Sequence, residues 1–231
     1  LPVWWARRCV SETDSGQRRA ATLCRAGQKF VCFLLSILPC KINLFPHMEI
    51  KAVTGQALLD ALPEIADLRL EIFREFPYLY DGDAESEAEY LKTYAQAEGG
   101  FVALALAGGQ MVGAATALPL GQEVPELQQP FRDSPEFNVS DVLYVGEVLL
   151  RPGYRGKGAG GQLLRLCEAH AAQLGLGTAA FAVVVRPEDH PKKPADYQGN
   201  GAIWQKRGYT ERPDLTLSLI HISEPTRQAE I

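Results

Sequence analysis

Positive charge is in short supply in this 231-residue chain. Its 23 Lys and Arg stand against 28 Asp and Glu, a formal net charge of −5, so electrostatics give no reason to expect a nucleic-acid partner. Long apolar runs are missing too. None reaches the 18 or so residues that span a bilayer, which excludes an integral helical membrane protein, and no membrane partner is expected. Between residues 48 and 231 the chain has one cysteine, Cys167, which excludes a disulfide framework there and suits a reducing, cytoplasmic setting. No C-x-x-C pair occurs anywhere, so a zinc site is not expected, and no metal is. No G-K-[ST] follows a glycine-rich stretch, which excludes a Walker A loop. What remains is ordinary globular composition, 46% hydrophobic and 22% charged. That is enough for one sizeable core.

The averages conceal a seam at Met48, the first methionine. Residues 1–47 hold Cys9, Cys24, Cys32 and Cys40, and seven basic side chains against Glu12 and Asp14. The apolar run Phe30–Leu38 after a basic stretch resembles a secretory signal, but no A-x-A-like site follows it. The preferred expectation is an extension outside the domain, either upstream translated or disordered. The stretch from Ser218, SLIHISEPTRQAEI, loses strand alternation and resembles translated adapter DNA. The expected division is therefore 1–47 as an extension, 48–217 as the domain and 218–231 as a tail of non-native appearance.

Within the domain, Glu49–Val53 reads as a strand. A helical period then follows Thr54 through Leu58, Leu62, Ile65, Leu68 and Ile72, with Pro63 expected to kink it or to open a second segment. REFPYLYDGD, residues 74–83, is an aromatic loop, and Asp83 caps a second helix with Ala84, Ala88, Leu91 and Ala95 on its inner face. Phe101–Leu106 and Met111–Leu118 form a hairpin about Ala107-Gly108-Gly109-Gln110. Residues 119–140 read as a long excursion with room for one helical turn. Asp141–Leu150 is a strand, Gly160–Leu174 a helix, and Thr178–Val185 a strand apolar on both faces. A Pro-rich loop over residues 186–199, a short helix near Ala202–Arg207 and a strand over Tyr209–Leu217 complete the order. A hairpin beside a β-α-β unit implies an α/β (α+β) fold, with a mixed sheet and helices on its faces.

The chemistry concentrates in Tyr144–Leu164, YVGEVLLRPGYRGKGAGGQLL. A strand runs into a turn with glycines at 156, 158, 160 and 161, and the turn opens a helix. Converging backbone N–H groups at a positive helix end make a site for a phosphate or pyrophosphate. Arg155 and Lys157 add mobile positive charge. Gly156–Gly161 formally fits G-x-G-x-x-G, but Arg151–Arg155 intervenes after the strand and the next strand ends without an acid. A nicotinamide or flavin site is therefore the weaker reading.

Read as V-x-x-x-P-x-Y-R-G-x-G-x-G, the residues Val148, Pro152, Tyr154, Arg155, Gly156, Gly158 and Gly160 resemble the acetyl-CoA loop of the GCN5-related N-acetyltransferase (GNAT) superfamily. A second stretch, Arg186, Pro187, Asp189, His190, Pro191, Pro194, Asp196 and Tyr197, is similar to bacterial members with R-P-x-D-H-P-x-x-P-x-D-Y after the fifth strand. The resemblance covers 48 to about 217. It implies the acyl-CoA N-acyltransferase fold, a mostly antiparallel mixed sheet whose central parallel strands splay apart. It implies a cytoplasmic bacterial enzyme using acetyl-CoA as co-substrate. The backbone of Val148, Leu149 and Leu150 would pair with the pantetheine arm. The amides of Gly156, Lys157, Gly158, Ala159, Gly160 and Gly161, with Arg155 beside them, would cradle the diphosphate.

A primary amine has a pKa near 10 and arrives protonated, so a base must take its proton. Glu147 is the candidate. It lies on the strand that would hold the thioester, beside Gly146, a residue that marks a bulge able to re-aim its neighbour. Apolar surroundings would favour the protonated carboxyl and suit that role. The alternative for Glu147 is an exposed strand residue in a salt bridge. A backbone N–H near Leu149 would stabilise the tetrahedral oxyanion.

One departure concerns the leaving thiolate. Many GNAT enzymes carry a tyrosine acid in Y-x-x-x-G-[FY]; here Trp204 holds that position, in Trp204–Tyr209, and is read as a packing side chain, as is Tyr209. Water, Tyr197 or His190 is left to protonate the thiolate, and a loop histidine is also a common turn residue. The loops Phe76–Tyr80 and Asp189–Tyr197 would form the acceptor walls, or simply pack and cap. The implied reaction is direct transfer of an acetyl group to a primary amine of a small molecule or peptide, and a homodimer is among the assemblies it allows. A non-catalytic acyl-CoA-binding or regulatory module on the same fold is the alternative.

Overall fold

The structure is a computed structural model, and it describes residues 2–7 and 48–216. The expectations for the rest of 1–47 and for 218–231 lie outside the described residues. Among the described residues seven strands form one sheet in the order β2-β3-β4-β5-β6-β1-β7. They are β1 (Pro2–Arg7), β2 (Met48–Val53), β3 (Phe101–Ala107), β4 (Gln110–Pro119), β5 (Val142–Leu150), β6 (Thr178–Ala182) and β7 (Thr210–Thr216). The helices are α1 (Gly55–Phe73), α2 (Ala84–Gln96), α3 (Pro125–Asp133), α4 (Ala159–Gln173) and α5 (Gly201–Lys206).

Strands β2 to β5 form an antiparallel meander. The β3–β4 turn closes on Gly108 and Gly109, both at positive φ (58° and 83°), a geometry whose twist matches the flanking strands and that only glycine adopts freely. β6 runs parallel to β5, and the β5–β6 ladder covers only Val142–Tyr144 against Thr178–Ala180. Since β5 continues to Leu150, the two central strands part company beyond Tyr144. This is the splayed, mostly antiparallel mixed sheet that the resemblance implied.

The apolar residues divide between the faces by strand alternation. On one face α1 and α2 bury Leu58, Leu62, Ile65, Leu68, Leu91 and Tyr94 against Val102, Leu104, Met111, Ala114, Leu118 and Leu149. On the other, Leu163, Leu164, Cys167 and Ala171 of α4 pack on Ala103, Ala105, Ala115, Leu143, Val145 and Phe181. The buried stripe of α4 falls where its helical period put it, save that Leu174 is exposed.

Local structure departs from expectation in four places. Helix α1 runs unbroken through Pro63; the carbonyl that proline deprives of a donor belongs to Leu59, an exposed residue. The buried stripe of α2 is Glu87, Leu91 and Tyr94, and Ala84 is exposed. The excursion after β4 contains α3, opened by Pro125 in the first turn, where the missing N–H costs nothing. Strand β6 stops at Ala182, three residues short of the expected Val185.

The backbone of Pro2–Arg7 lies within the sheet, antiparallel to both β6 and β7, with Trp4 opposite Phe181 and Glu211.

Candidate active site

Strand β5 organises the site, and a bulge divides it. Thr116 of β4 lies opposite Glu147 while the next residue, Ala117, lies opposite Val145, so Gly146 is the extra residue. A Cβ on Gly146 would overlap the Tyr94 hydroxyl. Glycine is therefore required at the bulge by the close approach of α2. Before the bulge Leu143 and Val145 face α4; after it Leu149 faces α1 and α2 while Val148 and Leu150 pack on the α4 side.

Glu147 accordingly points toward α1 and α2. It is 7% exposed, and its surroundings are polar rather than the apolar setting expected for it. One carboxylate oxygen accepts from the guanidinium of Arg69 on α1. The other accepts from the Thr116 hydroxyl at 2.9 Å. Arg69 also donates to Glu87 of α2. Its guanidinium lies over the rings of Tyr90 (4.4 Å) and Phe73 (4.8 Å). Burial works against the Arg69 charge, but Glu147, Tyr90 and Glu87 outweigh it and hold the guanidinium more firmly protonated than usual. The Tyr90 hydroxyl is 2.7 Å from that of Tyr94. Burial, then Tyr90, Glu123 and Glu147, push the Tyr94 phenol well above its usual range.

Two loops close over this side. Phe76 meets Tyr197 edge-on at 4.7 Å and lies 5.6 Å from the ring of His190. Arg186 fastens the loops together by donating to the carbonyls of Pro77 and Tyr78, both at 2.9 Å. Tyr78 stacks near Phe73 at 4.6 Å; burial raises its phenol, and Glu147 and Tyr197 raise it further. Burial also raises the Tyr197 phenol. The structure thus brings Phe76, Tyr78, Tyr197 and His190 together beside the Glu147 network. His190 is tied into its own turn, with Nδ1 accepting from the Lys192 N–H at 3.2 Å.

The glycine-rich turn lies at the far end of β5. Gly156 and Gly158 have φ of 71° and 86°, and Gly158 is the N-cap of α4. Left-handed backbone at both positions is natural only to glycine. It leaves the first amides of a 15-residue helix without intrahelical acceptors. Ala159 is buried, Gly160 half-buried, and Gly156, Lys157 and Gly158 exposed. Gly161 has no room for a Cβ because the guanidinium of Arg207, at the end of α5, occupies that space. The basic side chains are turned back onto the protein. Arg155 donates to the Leu150 carbonyl at 2.7 Å and pairs with Glu75 at 2.6 Å. Lys157 donates to the Gly153 carbonyl. Arg151 pairs with Glu71 at 2.9 Å, so two arginines tie this turn to the end of α1 and the loop beyond.

Between these two places, among the described residues, β5 offers an unpaired edge. Beyond Tyr144 no ladder joins it to β6, while its other edge stays paired with β4 up to Leu150. A turn rich in free amides, an open strand edge and a buried carboxylate therefore succeed one another along a single strand.

Comparison with known families agrees with this arrangement. The model of the acetyltransferase (GNAT) family matches residues 62–193. The chain belongs to the GNAT acetyltransferase family. Among solved structures, a predicted acetyltransferase with acetyl-CoA from Clostridium acetobutylicum is 11% identical, with a TM-score of 0.52 over 75% of this chain and 97% of that one. A GCN5-related N-acetyltransferase from Ralstonia eutropha JMP134 is 18% identical, with a TM-score of 0.49 over 75% and 99%. An aminoglycoside N-acetyltransferase AAC(6')-Iy, in complex with a bisubstrate analogue of CoA, is 20% identical, with a TM-score of 0.43 over 70% and 86%. A search of curated proteins finds no match. At these identities the likeness is one of fold.

Within this GNAT framework, Trp204 and Tyr209 pack in the α4-side core. Trp204 lies 4.8 Å from Phe181 and Tyr209 5.1 Å from it. Tyr209 donates to Glu168 at 3.0 Å, and burial raises its phenol. Glu147 pairs with α1 on the other face, so Trp204 and the candidate base approach the sheet from opposite sides. Arg69, Glu87 and Thr116 went unread in the sequence. Their signal was there: Arg69 and Glu87 are opposite charges sitting on the apolar stripes of consecutive helices. Among the described residues no helix is long and apolar enough to cross a membrane, and no group of three His, Cys, Asp or Glu is placed to hold a metal.

Proposed function

We propose that this chain is an acetyl-CoA-dependent N-acetyltransferase that moves an acetyl group directly to a primary amine of a small molecule or peptide. The observation that carries the proposal is the arrangement along β5. The bulge at Gly146 sends Glu147 to the side closed by the aromatic loops, while the same strand runs on into the amide-lined turn at α4.

Residues Gly156–Gly161 fit a diphosphate. The first amides of α4 lack intrahelical acceptors at a helix N-terminus, whose dipole favours an anion. Acetyl-CoA bound there would supply the activated acetyl group. The open edge of Val148, Leu149 and Leu150 would pair with its pantetheine amides, an added strand in all but covalent connection. That places the thioester in the opening between β5 and β6.

The acceptor would enter past Phe76, Tyr78 and Tyr197. Their ring faces suit an ammonium group, and the Glu147 carboxylate supplies the opposite charge. Glu147 is held there by Arg69 and Thr116. It takes the amine proton directly or through one water. The freed amine attacks the carbonyl carbon, and a backbone N–H near Leu149 holds the oxyanion. On collapse the thiolate leaves and takes a proton from water or from Tyr197, and the nitrogen gives up its second proton to restore that donor, so that the amide and the free thiol are the products. His190, held in its turn by Lys192, orders the loop.

A thiol-release assay with acetyl-CoA across a panel of amines, polyamines and peptide N-termini tests this. Amine-dependent thiol release is expected. Binding of acetyl-CoA with no release on any amine would favour a non-catalytic acyl-CoA module, for which Trp204 at the position of the usual tyrosine speaks.

A further inference from the structure

We propose that Arg69 is the positioning residue of the Glu147 carboxylate, which it holds ionised and aimed while Glu87 grips the same guanidinium from α2. The proposal rests on the reading of Glu147 as the base and adds the device that sets its charge state.

Helix periodicity puts Arg69 in the buried stripe of α1, four residues after Ile65 and three before Ile72. A lone charge so placed would cost several kcal/mol, so the position demands partners. They come from two other elements. Glu87 lies on the buried stripe of α2, and Glu147 lies just after the β5 bulge. All three residues are under 8% exposed. The guanidinium plane is fixed by Tyr90 and Phe73. Thr116 donates to the Glu147 oxygen that Arg69 does not hold. The carboxylate is thereby oriented by two donors from two elements.

A guanidinium in contact favours the ionised carboxylate, and a second carboxylate opposes it. The other titratable groups around Glu147 are phenols: Tyr90 and Tyr94 from α2, Tyr78 and Tyr80 from the loop, and Tyr197 beyond Tyr78. All four with a resolved shift (Tyr78, Tyr80, Tyr94, Tyr197) are raised, burial leading in each, so they stay neutral when Glu147 ionises. Glu123, a further buried carboxylate, also raises Tyr94. Of the charged groups, Arg69 is the one in direct contact with Glu147, and Glu87 shares its guanidinium. Two carboxylates share one guanidinium, which leaves the cluster with one net negative charge facing the acceptor loops. That charge suits an acceptor arriving as its ammonium ion.

The test is a pH titration of the Glu147 side-chain carboxyl by carbon-13 NMR on the full chain, with the resonance assigned through Glu147→Gln. In the unaltered protein the midpoint should lie below that of a free glutamate side chain, about 4.3. Arg69→Met should raise it by one pH unit or more, a tenfold or greater change in the acid dissociation constant. Arg69→Lys should raise it less, and Glu87→Gln should lower it. These opposite directions separate a positioning role from mere packing. A midpoint above 4.3 in the unaltered protein overturns the proposal whether or not any variant folds, as does an unchanged midpoint in folded Arg69→Met. Calorimetry with acetyl-CoA on the same protein keeps the two readings apart: absent binding with the expected titration removes the transferase and leaves the clamp.

Discussion

A methyl group on Gly146 would overlap the hydroxyl of Tyr94. This one contact joins the β5 bulge to α2 and so ties the direction of Glu147 to the packing of the helix pair. Tyr94 is 1% exposed and has little room to withdraw. Gly146→Ala should destabilise the fold by about 1–3 kcal/mol, the usual cost of overpacking. It should also lower turnover in the fraction that stays folded, because Glu147 is re-aimed. Urea denaturation and kcat measured on the same preparation check both effects.

Glu147→Gln keeps the shape of the side chain and removes its charge. It should lower turnover by about a hundredfold or more, in the range of a lost general base. Acetyl-CoA affinity should change little, because the glycine-rich turn lies at the other end of β5. Turnover that is unchanged across pH would remove Glu147 from the mechanism.

Asp83 offers a pH-dependent check on the fold. As N-cap of α2 it accepts from the Ser86 N–H at 2.9 Å and from the Ser86 hydroxyl at 2.7 Å. These bonds hold its carboxyl below the ordinary range. A lowered folded-state value means that its contribution is present in full above the unfolded value, about 3.9, and is lost as pH falls through the folded one. Asp83→Ala should therefore lower the urea midpoint at pH 7. The gap between variant and unaltered protein should shrink as the pH drops below about 3.9.

Much of this was legible in the sequence because it is local. Strand alternation and helical period gave the order of elements from β2 to β7, Asp83 announced a cap, and Gly108-Gly109 a tight hairpin. The glycine-rich turn was legible because positive φ leaves a compositional mark. Gly146 was read as a bulge because a glycine inside a strand pattern marks one. The Glu147 environment was not, since its partners lie 31 and 78 residues away and only the fold brings them together. Glu87 shares its helix face with Leu91, four residues on, but as a charged residue it was not read as part of the buried stripe of α2. Pro63 opened no second segment, because apolar side chains on both sides of it, Leu62 and Ile65 among them, are buried along one continuous α1. The place of Pro2–Arg7 in the sheet is non-local as well, with β6 and β7 as its partners.

The most direct test of the whole account is calorimetric titration with coenzyme A and, separately, with pantetheine, which lacks the nucleotide and the diphosphate. If the amides of Gly156–Gly161 hold the diphosphate, coenzyme A binds saturably at one site per chain. Pantetheine then binds at least about tenfold more weakly, a loss of about 1.4 kcal/mol or more. Equal affinity for the two, or no saturable heat with coenzyme A, would contradict it.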